Sequence, residues 1–252
     1  MPFRPVATLM LREIATTHGR SLGGYGWIIL EPVAAVSLLS LVFSLFFKNP
    51  PLGNSFAMFY ASGYLAFATY SDVAQKTALS LRYSRPLLAY PVVNWLDAVL
   101  ARFALAMLTH TLIWMVVVSG ITLVEGLPLN LDPITLAASL VLAALLGLAI
   151  GAMNIVLFEF FPVWERVWAI INRPLFMLSG VLFLPDQLPQ PYKDWLWYNP
   201  IVHVIAVARD GIYRHYSFDP QGVACVIGLA LILMVLGIVF LARHARGRIL
   251  NG

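Results

Sequence analysis

The chain has 252 residues, of which 60% are hydrophobic and only 11% are charged, and its mean hydropathy is +0.83. A soluble domain of this length needs far more charge to cover its surface, so the composition predicts an integral membrane protein. The net charge of +4 does not indicate a nucleic-acid partner, because the basic residues are scattered in short loops and form no patch. The single cysteine, Cys225, excludes an intrachain disulfide.

The N-terminal segment, residues 1–26, is predicted to be an interfacial helix followed by an elbow. Apolar residues between Pro2 and Arg20 recur at helical spacing opposite Arg4 and Arg12, which is typical of a helix lying in the membrane interface. Three glycines before Trp27 permit a sharp turn into the first span. Glu31 favours the positive start of that span, and Arg12, Arg20, Trp27 and Glu31 are the candidate elbow residues.

Apolar runs of about 20 residues suffice to cross a bilayer as helices, and the chain contains about six. They predict an all-α membrane domain over residues 1–252, with spans Ile28–Phe47, Phe56 to about Val73, Ala98–Val124, Ile134–Phe158, Val163–Leu184 and Val223–Ala242. Six spans place both termini on one side. Most Lys and Arg residues then lie on that side, which the positive-inside rule makes cytoplasmic.

The loop at residues 82–97 carries apolar residues between charges and two prolines. A helix that docks a cytoplasmic partner and a loop lying on the lipid headgroups explain this pattern about equally well. Gly147 and Gly151 form a GxxxG motif, which favours packing against a helix of the same chain over a dimer contact.

Arg173 is predicted near the middle of the fifth span, directly before Pro174. A charge there persists only if it snorkels, pairs with Glu159 or Glu165, or lines a hydrated conduit, and the sequence favours the conduit modestly. His110 also lies within a span, but it has no acidic residue or second histidine three or four positions away, so it is predicted to be a packed or conduit-lining residue rather than a metal ligand. No Walker A motif occurs, so ATP is not expected to bind this chain in that way.

The outer segment, residues 186–219, is rich in proline and aromatic residues, and its apolar piece is too short to cross a membrane. We expect two short re-entrant or interfacial helices, broken at Asn199-Pro200.

The chain resembles the membrane subunits of type-2 ABC exporters that carry polysaccharides, and most closely the Gram-negative capsular-polysaccharide permeases. The elbow from Arg20 to Pro32, the stretch from Arg85 to Pro91 and the segment from Trp197 to His203 carry this resemblance. The similarity extends in order over nearly the whole chain.

The resemblance implies a homodimer, inserted in the inner membrane, that binds two separate ATPase subunits holding ATP and Mg²⁺. It implies a periplasmic co-polymerase, an outer-membrane channel and a lipid-linked anionic polysaccharide as further partners. It also implies that the residues coupled to the ATPase are Arg82, Tyr83, Ser84, Arg85, Pro86, Leu87 and Leu88. The candidates for the translocation path are Trp164, Trp168, Arg173, Tyr192, Trp197, Tyr198, His203, Arg209 and Asp210.

Two other functions stay open. A type-2 exporter of another polymer, a lipid or a drug would carry the same architecture. An intramembrane enzyme would need converging titratable groups, and the spans offer only scattered ones: Glu31, His110, Glu159 and Arg173.

Overall fold

The structure is a computed structural model that describes Met10 and residues 24–88, 94–127 and 131–244. The predicted interfacial helix, with Arg12 and Arg20, lies outside the described residues. The described ranges are all α and contain no strand, which confirms the predicted fold class. The helices are α1 Gly24–Phe46, α2 Phe56–Ala78, α3 Ser80–Leu88, α4 Trp95–Glu125, α5 Pro133–Phe160, α6 Pro162–Leu178, α7 Tyr192–Trp197, α8 Pro200–Ile212 and α9 Pro220–His244, with a 3₁₀ turn at Pro185–Gln187.

Within the described ranges, four helices are long and apolar enough to cross a membrane: Gly26–Phe46, Trp95–Glu125, Pro133–Phe160 and Pro220–Arg243. The two other predicted spans differ from this group. Helix α2 is long enough, at 23 residues or about 34 Å, but Asp72 and Lys76 lower its hydropathy. Helix α6 has 17 residues and reaches only about 26 Å.

The sequence prediction that the fifth span continues as a helix to Leu184 is wrong, because α6 ends at Leu178. Gly180 has a φ of +75°, in the left-handed region that favours glycine, and the chain leaves the helix there. The following segment, residues 179–184, is irregular. Val181 lies against Gly63, two turns or about 10 Å into α2, so this segment sits at membrane depth.

Prolines and capping residues set where the helices begin. Ser55 accepts a hydrogen bond from the Met58 amide at 2.9 Å at the start of α2. Asp132 and Asn199 cap α5 and α8 in the same way, and each is followed by a proline at the first helical position. Proline is favoured there because its missing N–H would have no helical partner. The predicted break at Asn199-Pro200 is therefore the start of a helix.

Helix α2 forms the centre of the bundle, and α5 packs closely on it. A Cβ at Gly147 would lie 2.6 Å from the Tyr70 carbonyl oxygen, and one at Gly151 would lie 2.7 Å from that of Ala74. The glycine motif thus lets α5 approach α2 of the same chain, as the sequence favoured. We call the end of the bundle that carries α3 the α3 side, and the opposite end the α7 side.

Candidate functional site

An ion pair on the α3 side joins α3 to α6. Arg82 Nη1 lies 2.9 Å from Glu165 Oε2, and both side chains are partly exposed. Arg82 comes from the second half-turn of α3, and Glu165 from the first turn of α6. Because α3 is only nine residues long, this one ion pair connects a short helix directly to α6.

Tyr83 lies on the exposed surface of α3. Its side chain is 65% exposed, and the Arg102 guanidinium lies 4.7 Å from its ring centroid. Ser84 instead is buried. The other predicted coupling residues, Arg85, Pro86, Leu87 and Leu88, continue the helix, but their side chains lie outside the described residues. The segment is thus a short helix with an exposed aromatic, and its docking role stays a prediction.

A polar network that the sequence reasoning missed connects α2 to α4. His110 Nε2 lies 2.9 Å from Asp72 Oδ2, and Lys76 Nζ lies 2.7 Å from the same oxygen. The other imidazole nitrogen lies 3.3 Å from Thr69 Oγ1, which also accepts a hydrogen bond from the Trp114 indole at 3.1 Å. His110 was predicted to be a packed or conduit-lining residue without an acidic partner nearby in sequence. Its partner, Asp72, lies 38 residues earlier in the chain. The sequence feature that could have indicated this partner was the carboxylate at the end of the second predicted span.

The structure describes two of the predicted elbow residues, Trp27 and Glu31. Trp27 is 67% exposed, as expected of a residue at a membrane interface. Glu31 is exposed and lines a cavity of about 520 Å³ together with Asp72, Lys76 and His110. The carboxylate at the start of the first span thus lines the same cavity as these three ionisable side chains.

Helix α6 packs on the bundle along one face. The Trp164 indole donates to Asn154 Oδ1 at 3.0 Å, Asn172 donates to Ser71 Oγ at 2.7 Å, and Trp168 is half-buried. The opposite face, which includes Arg173, is exposed.

Arg173 is not paired with the acidic residues that the sequence suggested. Glu165 binds Arg82, and among the described residues no carboxylate lies within ion-pair distance of Arg173. Leu178 follows Arg173 by one and a half turns, about 8 Å, so Arg173 lies in the last third of a short helix and not at the middle of a long one.

On the α7 side, Arg209 is 1% exposed and holds the irregular segment in place. Its Nη2 donates to the Gly180 carbonyl at 2.7 Å, and its Nη1 donates to that of Phe183 at 3.3 Å. The guanidinium carbon lies 4.4 Å from the centroid of the Phe59 ring. The sequence placed Arg209 and Asp210 among the path candidates. In the structure the Arg209 guanidinium is buried and bonded to backbone carbonyls, and Asp210 next to it is partly buried.

Some aromatic residues in α7 and at its C-terminal end are held by hydrogen bonds, and others have exposed rings. His203 donates from Nε2 to the Trp197 carbonyl at 2.7 Å, and the Trp197 indole donates to Asp219 Oδ2 at 3.0 Å. This bond holds the pKa of the Asp219 carboxyl below its ordinary value, so Asp219 is ionised at neutral pH. Tyr192 and Tyr198 are 56% and 79% exposed. Exposed aromatic faces suit stacking on sugars as well as membrane interfaces.

Comparisons with known proteins match nearly the whole chain. Residues 5–213 match the family described as ABC-2 type transporter. The chain is 27% identical over 237 residues to the polysialic acid transport protein KpsM of Escherichia coli, covering 92% of this chain and 90% of that protein. It is 24% identical over 245 residues to the capsule polysaccharide export inner-membrane protein CtrC of Neisseria meningitidis, and 20% identical over 245 residues to BexB of Haemophilus influenzae, a protein of the same description. Each of these two matches covers 97% of this chain and 92% of the relative.

The Arg209 contacts generate a stability prediction. Replacing Arg209 by Met leaves buried carbonyls of the irregular segment without a donor, which should cost about 3 kcal/mol. The unfolding midpoint of the purified chain in detergent should therefore fall by several degrees. Arg214→Met removes an exposed arginine five positions further along and should leave the midpoint unchanged. Equal midpoints for the two variants would contradict the role assigned to Arg209.

Proposed function

The chain belongs to the ABC-2 type transporter family, and we propose that it is the membrane-spanning permease subunit of an ATP-driven exporter that moves capsular polysaccharide across the inner membrane. The similarity to inner-membrane capsule export proteins over nearly the full length of both chains supports this proposal most directly. A type-2 exporter of another polymer, a lipid or a drug is the second candidate. This second candidate stays open because the family match does not specify which substrate is transported.

ATP hydrolysis, in this proposal, takes place in two separate nucleotide-binding subunits that hold ATP and Mg²⁺. The permease acts as a homodimer, and a periplasmic co-polymerase and an outer-membrane channel continue the path of a lipid-linked, anionic polysaccharide. The relatives' roles in capsule export favour this assembly.

Helix α3 is the proposed docking element for the ATPase. It is short and carries the exposed Tyr83. The Arg82–Glu165 ion pair links it directly to α6, which presents Arg173 on its exposed face. A displacement of α3 by the ATPase would therefore move α6.

Charge reversal tests this coupling. Arg82→Glu and Glu165→Arg alone should each lower surface polymer about fivefold, the factor that corresponds to ~1 kcal/mol for an exposed ion pair. The double variant should recover most of the export, since it restores opposite charges. Permease abundance in the membrane and ATP hydrolysis by the complex are measured alongside.

The pair Lys193–Asp186, also 2.9 Å apart but on the α7 side, provides a matched control. Its charge reversals should not change export. If the double variant at Arg82 and Glu165 exports no better than the single variants, the ion pair does not carry the coupling.

Arg173 is the proposed contact for the anionic groups of the passing polymer. A guanidinium on an exposed helix face, without an acidic partner in the described part of the chain, can bind phosphate or carboxylate in a bidentate manner. Arg173→Ala should abolish export, Arg173→Lys should retain part of it, and both should keep basal ATP hydrolysis. Arg243→Ala, which removes another exposed arginine near the end of α9, is the control. Wild-type export by Arg173→Ala would remove this residue from the path.

Both termini are proposed to be cytoplasmic, with the α3 side facing the cytoplasm, because most basic residues then lie inside. In a Cys225→Ala background, an impermeant thiol reagent applied to intact cells should label Lys193→Cys and spare Tyr83→Cys. Both positions are well exposed, so access to the reagent depends on the side of the membrane. The opposite labelling pattern would reverse the orientation.

A further inference from the structure

The cavity of about 520 Å³ on the α3 side has walls from four helices. Helix α1 contributes Glu31, α2 contributes Asp72 and Lys76, α4 contributes His110, and α6 contributes Phe176. Its volume lies in the range of small-molecule sites. We name it the α3-side cavity.

One end of the α3-side cavity is charged. Asp72 uses Oδ2 for both His110 and Lys76, which leaves its Oδ1 and the remaining N–H groups of Lys76 for a ligand. Lys76 is 43% exposed and Asp72 is 35% exposed, so solutes can reach both groups. Glu31, from α1, lines the same cavity. Ionisable groups inside a membrane protein are costly and typically mark a binding site or pathway.

The other end of the cavity is apolar and aromatic. Phe176 packs edge-on against Tyr64 and Phe67, with ring centroids 6.4 and 5.1 Å apart. Tyr64 precedes Asp72 by eight residues, about 12 Å along α2, and lies further from the α3 side. The polarity of the cavity thus changes along the membrane normal, with its charged end towards the α3 side. A phospholipid in the leaflet on that side has the same direction of polarity.

We propose that the α3-side cavity binds a phospholipid whose headgroup carries both a phosphate and a primary amine. Lys76 binds the phosphate, Asp72 and Glu31 bind the ammonium, and the aromatic end contacts the acyl chains. A headgroup with a phosphate alone would bring its only charge next to two carboxylates. A quaternary ammonium has no N–H to donate to them, so a primary amine fits this set of groups best.

Native mass spectrometry of the full-length chain tests this assignment. The protein is purified in detergent, stripped of lipid and offered phosphatidylethanolamine, phosphatidylglycerol and phosphatidylcholine with identical acyl chains. Wild type should retain phosphatidylethanolamine about tenfold more than either of the others, the ratio expected from one charge-assisted hydrogen bond. Lys76→Met and Glu31→Gln should each remove most of this preference.

The control is Lys48→Met, the same substitution at an exposed lysine near the opposite end of the bundle, which should bind as wild type does. Lys76→Arg keeps a phosphate donor and should retain the lipid, so a loss in Lys76→Met alone is not a folding defect. Equal retention of phosphatidylglycerol overturns the proposal, as does a preference for phosphatidylethanolamine that survives Lys76→Met or Glu31→Gln. None of these measurements depends on export, so the result stands apart from the proposed transport function.

Discussion

The guanidinium of Arg209 satisfies backbone carbonyls that have no helical partner, and the architecture of the α7 side depends on this interaction. Residues 179–184 leave the helix at membrane depth, where lipid offers no hydrogen-bond donor. Arg209 supplies donors to Gly180 and Phe183 while its charged face stacks on Phe59. Asn199 adds a bond from its side-chain amide to the Leu178 carbonyl at 3.1 Å. An irregular segment can therefore cross part of the bilayer because the protein itself provides the missing donors.

This arrangement explains why α6 can be short. A helix that ends at Leu178 need not present a full apolar surface, and α6 indeed has no buried residue along its described length. It contacts the bundle through the polar bonds of Trp164 to Asn154, Asn172 to Ser71 and Glu165 to Arg82, and through the Phe176 ring against Tyr64 and Phe67. Helix α6 thus combines an exposed face with side chains that are at most partly buried.

The helices were largely predictable from the sequence, because several of them begin at capping residues or prolines that favour the start of a helix. Ser55, Asp132 and Asn199 are N-caps, and proline follows at the first position after Asp132 and Asn199. The end of α6 was not predictable in this way. The apolar run after Leu178 reads as a continuing helix, and the donors that permit its irregular path come from Arg209, almost thirty residues later.

The pairing of His110 with Asp72 was hidden for the same physical reason. Spacing rules detect partners on one helix, and these two side chains meet across two helices. What the sequence did show was that His110 lay in an apolar run, where an unpaired polar group costs several kcal/mol. From this cost alone it follows that partners must exist, but not which ones. The folded chain supplies them by bringing α2 and α4 together, and in doing so it gathers Asp72, Lys76 and His110 at one end of a cavity that Glu31 also faces. The carboxylate at the start of the first span is then neither a helix cap alone nor an isolated charge, because Glu31 lines the same cavity as the ammonium group of Lys76 on the neighbouring helix.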